Sequence, residues 1–302
     1  MYALLLAALA VLLSGVAPRL MARLGSFRRA PRAALVAWQA VSLAAVLAAL
    51  LAAPAAVPAL GEVGWFACVG DCTMTLAWFR ARRWIVVGLA GAVTLAMLGR
   101  LLLSGHRIGT RLRAARARHR DLVDVLGAPA GDGRAADGIR VLDHTTPTAY
   151  CLPGRRSRVV LTEGALAALP EDELAAVLAH ERAHLRGRHD LLLEYFTVLH
   201  HSVPEPVRSP AALREVRLLV EALADRAAVR TSGPVTTARA LMTLAQGQAP
   251  EAGLGAGGDG TTATRMRLLA EDSLPAPTVF VMYVYAVAVV ALPLVLLWLA
   301  WR

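Results

Sequence analysis

The sequence has no lysine; all 32 of its basic side chains are arginine. Cysteine occurs only three times, which excludes a disulfide-stapled scaffold. Charged residues make up only 18% and aromatics 5%, while hydrophobic residues reach 57%, too apolar for an ordinary solvated chain. The formal charge of +10 would suit a nucleic-acid binder. No recognition motif accompanies that charge, however, and the arginines cluster beside apolar blocks. They read as membrane-topology signals, and direct nucleic-acid binding is not expected.

The hydrophobic surplus is concentrated in four blocks, residues 2–18, 33–60, 84–103 and 279–301, each near the roughly 20 residues that cross a bilayer. No basic residue precedes the first block, and Arg19, Arg23, Arg28, Arg29 and Arg32 follow it. That order predicts a retained helix with the amino terminus outside; a cleaved secretory signal is the alternative. Arg107, Arg111, Arg113, Arg116, Arg118 and Arg120 follow the third block, so that side is also expected in the cytoplasm of a bacterial cell. The loop 61–83 then lies outside, where Cys68 and Cys72 are free to oxidise. The expected organisation is a three-helix membrane region over 1–104, a soluble domain over 105–277 and a fourth membrane helix over 278–302.

Within the soluble part, a basic helical stretch (111–126) precedes a turn-rich break. Short strands are predicted at 139–142, 148–152 and 158–162, followed by helices at 163–169, 171–186, 191–199, 211–230 and 237–246. The second of these helices carries His180-Glu181-Arg182-Ala183-His184. Residues four apart share a helix face, so the two imidazoles can hold one metal ion. Glu181 is displaced around the helix, within reach of a water on that ion, as a general base requires. Two neutral nitrogens and an open position suit zinc, one ion per chain.

A catalytic zinc takes a third protein ligand. Glu221 supplies one, set on an otherwise apolar face with Leu218, Leu219 and Ala222, where an unpaired carboxylate is costly. Asp225, one turn on, is placed to hydrogen-bond the free nitrogen of a ligand histidine. His189 reads as a solvated helix-end residue, and Arg265 and Arg267 as members of a charged face. Tyr195 reads as core and Cys151 as a small packed residue. His200 and His201 are weighed as stabilisers of a developing oxyanion.

His180-Glu181-x-x-His184 followed by Glu221-x-x-Ala224-Asp225 resembles the gluzincin pattern of HtpX/CAAX-prenyl-type peptidases and BlaR/MecR antirepressor peptidases. Ala149-Tyr150-Cys151-Leu152-Pro153-Gly154 is similar to the substrate-binding edge strand of those families, and Val159 to Thr162 to the strand that follows it. The layout of three helices, zinc domain and fourth helix is similar to BlaR/MecR specifically, and Asp190 fits that pattern. Those sensors continue into a penicillin-binding domain, and this sequence stops at Arg302, so the resemblance implies a short form without the sensor.

The resemblance implies an α-helical membrane protein with an α+β zincin domain between helices 3 and 4. The expected activity is zinc-dependent endopeptidase action. The expected substrate is a cytoplasmic winged-helix repressor of the BlaI type, docked by strand addition on Ala149, Tyr150, Cys151 and Leu152. Membrane-protein quality control, as in HtpX, and a non-enzymatic protein with a structural zinc remain the alternatives.

Overall fold

The computed structural model describes residues 1–58, 72–129, 138–154, 156–203, 205, 208–245, 254–255 and 261–302. Residues 59–71, which include Cys68 of the expected Cys68/Cys72 pair, lie outside them, and the rest of the expected loop, 72–83, is helical. Among the described residues, four helical stretches are long and apolar enough to cross a membrane: Tyr2–Arg23, Pro31–Ala52, the first part of Trp84–Leu126, and Ala276–Ala300.

The first stretch is α1 (Tyr2–Val11), a π turn (Leu12–Val16) and α2 (Ala17–Arg23). Pro18 lacks an N–H and its ring crowds the carbonyl one turn back, which the wider π turn accommodates. Ser14 Oγ donates to the Ala10 carbonyl at 2.7 Å in the same place. Helix α3 (Pro31–Leu51) opens on a proline at its first position and packs against α1 and against α10 (Ala276–Ala300). Its inner face is small and flat: Ala37, Val41, Ala44 and Ala48 are buried. Small residues let helix backbones approach closely where lipid offers no hydrophobic drive.

Helix α4 (Cys72–Leu126) runs 55 residues without a break. It passes straight through residue 104, the expected limit of the membrane region, and carries the apolar block and the basic stretch on one rod about 80 Å long. Its far end meets the sheet. Strands β1 (Ala128–Pro129), β2 (Ile139–Leu142), β3 (Ala149–Leu152), β4 (Arg158–Thr162) and β5 (Leu254–Gly255) are ordered β1-β2-β4-β3-β5. β2 and β4 are parallel and the other pairs antiparallel.

Side chains alternate across this sheet, as the strand repeat of two demands. Tyr150, Leu152 and Val160 pack on Val123 of α4. Ala149, Cys151, Val159 and Leu161 face the opposite way, onto α6 (Glu171–Arg186). Between them comes α5 (Glu163–Ala168), capped by Thr162 Oγ1 accepting from Ala165 N. Beyond α6 lies α8 (Ala211–Leu244), one helical run kinked at Gly233 (φ 80°) before Pro234. Helix α7 (His189–Ser202) packs along the basic part of α4, and α9 (Thr262–Ala270) closes over α8. The order from outside in is therefore α4, sheet, α6, α8.

The apolar bundle and this domain are joined at α8. Arg28 makes a two-bond fork to Glu215, Nη2 to Oε1 at 2.5 Å and Nε to Oε2 at 3.0 Å. Arg226 donates to the Arg29 carbonyl. Val216, Leu219 and Val220 of α8 share one buried cluster with Ala34, Trp38 and Val41 of α3.

Candidate active site

Three acids in the first turn of α6, Glu171, Asp172 and Glu173, favour its amino terminus, and Gly187 ends it. One turn before that end, His180 and His184 point their Nε2 atoms at one spot, 3.1 Å apart. Glu221 of α8 completes the convergence. Its Oε2 lies 3.3 Å from His180 Nε2 and its Oε1 3.4 Å from His184 Nε2. Two imidazole nitrogens and a carboxylate, all within 4.8 Å of one another, are a zinc-type donor set. Facing ring nitrogens satisfy one another poorly, and both point at the Glu221 carboxylate, so the donor set fits a bound cation.

The outer nitrogens of both histidines are also held. His180 Nδ1 lies 3.0 Å from Asp225 Oδ1, as the spacing of Glu221 and Asp225 on one α8 face led us to expect. His184 Nδ1 lies 2.9 Å from His189 Nδ1. His189 is buried, not solvated. Arg188 adopts a left-handed conformation (φ 48°), which turns the chain back so that the His189 ring lies over the end of α6. A Cβ at Gly187 would collide with that ring, so the glycine makes room for a positioning residue besides stopping the helix.

Arg265 is the second residue whose expected role changes. It is buried at the centre of the site instead of lying on a charged face. Its Nε and Nη2 grip the two Asp225 oxygens at 2.8 and 2.6 Å, and its Nη1 lies 3.2 Å from Glu221 Oε2. Sequence spacing could not find it, because α9 follows the glycine-rich stretch and reaches the site only through the tertiary fold.

Charge follows these contacts. Burial works against protonation of His180, but Asp225 and Glu221 outweigh it and push the imidazole up to about 10. Burial brings His184 down to about 3 against the pull of Glu221. Glu221 is held down to about 2, despite its burial, by His184, Arg265 and His180. Asp225 stays below the usual carboxylate range because Arg265 and His180 overcome the cost of burying it.

Glu181 is fully buried, on the side of α6 that faces the sheet. Cys151 of β3 lies against it; burial first, then the Glu181 charge, pushes that thiol up and keeps it protonated. Cys151 is thus packed, as expected, but packed in the site. The strand around it differs from expectation. Both edges of β3 are taken, by β4 along Ala149, Tyr150, Cys151 and Leu152 and by β5 at Tyr150 and Cys151. The backbone at 150–151 therefore offers no open edge for strand addition, because the chain supplies that strand itself.

His200 and His201 lie at the far end of α7, eleven or more residues beyond His189 and so about 16 Å along the helix. That is too far to reach an oxyanion beside Glu221. Tyr195 hydrogen-bonds Ser42 at 3.0 Å and packs with the α3 cluster, in the core as expected.

Paired imidazoles, a carboxylate ligand and an adjacent buried glutamate beneath a β-strand define a metallopeptidase. The chain belongs to peptidase family M48, a family of zinc-dependent peptidases; its model matches residues 114–270, from the basic half of α4 to the end of α9. No curated protein and no solved structure shows significant similarity to the chain.

Proposed function

We propose that this protein is an integral-membrane zinc endopeptidase of the bacterial cell membrane, its catalytic domain in the cytoplasm, cleaving a soluble winged-helix repressor in regulated proteolysis. The observation that carries the peptidase is the convergence of His180, His184 and Glu221 with Glu181 one residue away. The cytoplasmic placement is supported by the arginines of α4, which lie on the half that packs against the catalytic domain. The repressor as substrate rests on the likeness to antirepressor peptidases.

His180, His184 and Glu221 would hold zinc, which polarises a carbonyl and lowers the pKa of its water towards about 7. Glu181 takes the proton from the attacking water and hands it to the leaving amine. Asp225 fixes the ring and tautomer of His180, and His189 those of His184. Among the described residues three protein ligands converge, which would leave one position open on the ion, unlike a structural zinc closed by four. Of the three, Glu221 is the most exposed, 15% of its side chain against 3% for His180 and 0% for His184, which supports an open side of the site along α8.

The test compares new protein amino termini in cells carrying the wild type and Glu181→Gln. The variant should keep its zinc and lose at least about a hundredfold in cleavage, whereas His180→Ala should lose both. A fragment of a DNA-binding protein seen only with wild type supports the repressor reading. Fragments of many membrane proteins would replace it with quality control, and full activity in the Gln variant would remove Glu181 as the base.

A further inference from the structure

The apolar half of α4 stands away from the other membrane-type helices. In its most apolar stretch no residue is buried, except where Ala90 is shielded, and Thr94 Oγ1 reaches the Leu50 carbonyl at 3.2 Å. Between α4 and the α1–α3 pair lies a cleft of about 620 Å³, floored by the end of α7 and the start of α8. Its walls are apolar, with Trp38, Val46, Val93 and Met97 among them.

The cleft carries its charge at one end. Helices α4 and α7 are antiparallel: Arg113 pairs with Glu194, and Gly105 sits beside Val198. That register brings Arg100, which lines the cleft, level with the last turn of α7. Arg208 lines the cleft there too, its Nε and Nη2 donating to the Val203 carbonyl at 3.2 and 3.1 Å. Its nearest carboxylate, Glu205, is 3.9 Å away and 87% exposed. Arg100 has no carboxylate partner within salt-bridge distance among the described residues. His200 completes the group, and its basicity is lowered by burial and by Arg208.

We infer that this cleft is a binding site for one anionic phospholipid, one of its two acyl tails lying between α3 and α4 and its phosphate on Arg100 and Arg208. The inference rests on the membrane reading, though not on the choice of peptidase substrate. Volume selects the tail. At about 30 Å³ for each water-sized group, the cleft takes about twenty methylenes. A 20-residue helix about 30 Å long and 10 Å wide needs roughly four times that space. Charge selects the head: a guanidinium pairs with phosphate by two parallel hydrogen bonds, and the positive end lies where the cytoplasmic leaflet carries its anionic lipids.

The test uses the zinc-loaded full chain in nanodiscs of equal phosphatidylglycerol and phosphatidylcholine with identical tails, released into native mass spectrometry. One phosphatidylglycerol per chain should remain bound. The Arg100→Ala/Arg208→Ala double variant should lose at least tenfold in that occupancy. Ala49→Trp, which fills the tail end and leaves both arginines, should expel the lipid too, and unchanged zinc content reports that each variant is folded. Equal retention of the two lipids, phosphatidylglycerol occupancy indifferent to all three substitutions, or a second copy of the chain in the lipid's place overturns the proposal. Failure of the chain to enter nanodiscs at all removes the membrane reading itself.

Discussion

The interface between α6 and α8 and the gap between α3 and α4 are opposite solutions to burying a helix face. At the first, Asp225, Arg265, His180 and His184 are all nearly inaccessible, and each has a charged or hydrogen-bonding neighbour. At the second, the cleft between the helices is apolar, and elsewhere on the same half of α4 Trp84, Leu89, Leu95 and Leu102 stay more than 60% exposed. The protein finishes the first surface by itself. The second is left unfinished by the described residues, and on the proposed membrane reading lipid would finish it. A dense polar cluster tolerates no missing member, whereas a lipid-facing surface loses little when one side chain is trimmed.

The largest effect should come from Arg265. Replacing it with Met leaves Asp225 and Glu221 buried with only the His180 and His184 rings beside them, and breaking a buried pair in this way costs about 3–5 kcal/mol. Chemical unfolding of the zinc-free protein should register that loss. A change below 1 kcal/mol would mean that the cluster is not the closed network described here. Removing both partners, as Arg265→Met with Asp225→Leu, should recover part of the stability while zinc affinity stays low, because His180 then lacks its orienting carboxylate.

Much of this site is legible in the sequence, and the reason is local geometry. His180, Glu181 and His184 lie within two helical turns, and Glu221 and Asp225 share one face of a single helix, so the 3.6-residue repeat fixes which of them stack. His189 and Arg265 are not legible in that way. His189 enters only because Arg188 takes a left-handed conformation, and Arg265 only because α9 folds back over α8. Strands β2, β3 and β4 are legible in the sequence, but β1 and β5 are not, since two residues in or beside a turn-rich stretch carry no repeat. That is why β3 reads as an open edge in the sequence and is a paired strand in the structure.

His189→Ala should weaken zinc binding by about 10–100-fold, the usual cost of losing a partner that orients a ligand imidazole. Chelator competition measures it directly. His189→Gln, which keeps a hydrogen-bonding group near His184 Nδ1, should recover part of the loss. Failure of the glutamine to differ from alanine would reduce His189 to packing.

Acidity gives a smaller, graded effect. The zinc-free His180 is pushed up to about 10, so at neutral pH it carries a proton that zinc must displace. Apparent zinc affinity should therefore rise with pH, by about tenfold per unit between pH 6 and 8 for one released proton. The sign follows from the raised pKa: below it the proton competes, and each unit of alkalinity removes a factor of ten of that competition. With Asp225→Asn the upward push on His180 weakens and the slope should flatten at lower pH. A slope unchanged in that variant would assign the displaced proton to another group.

The smallest effect is expected on the exposed apolar half of α4. Leu95 is 68% exposed on α4, and Leu219, in the cluster joining α8 to α3, is 1% exposed. Leu219→Ala opens a cavity where neighbours from two helices cannot collapse, at a cost of about 2–5 kcal/mol. Leu95→Ala removes the same atoms from a surface that lipid tails refill, and should change stability by no more than about 0.5 kcal/mol. Thermal unfolding of the two variants in one nanodisc preparation makes the comparison. Equal losses would show that α4 meets a protein partner at Leu95, and the contrast between a self-finished interface and a lipid-finished one would then fall.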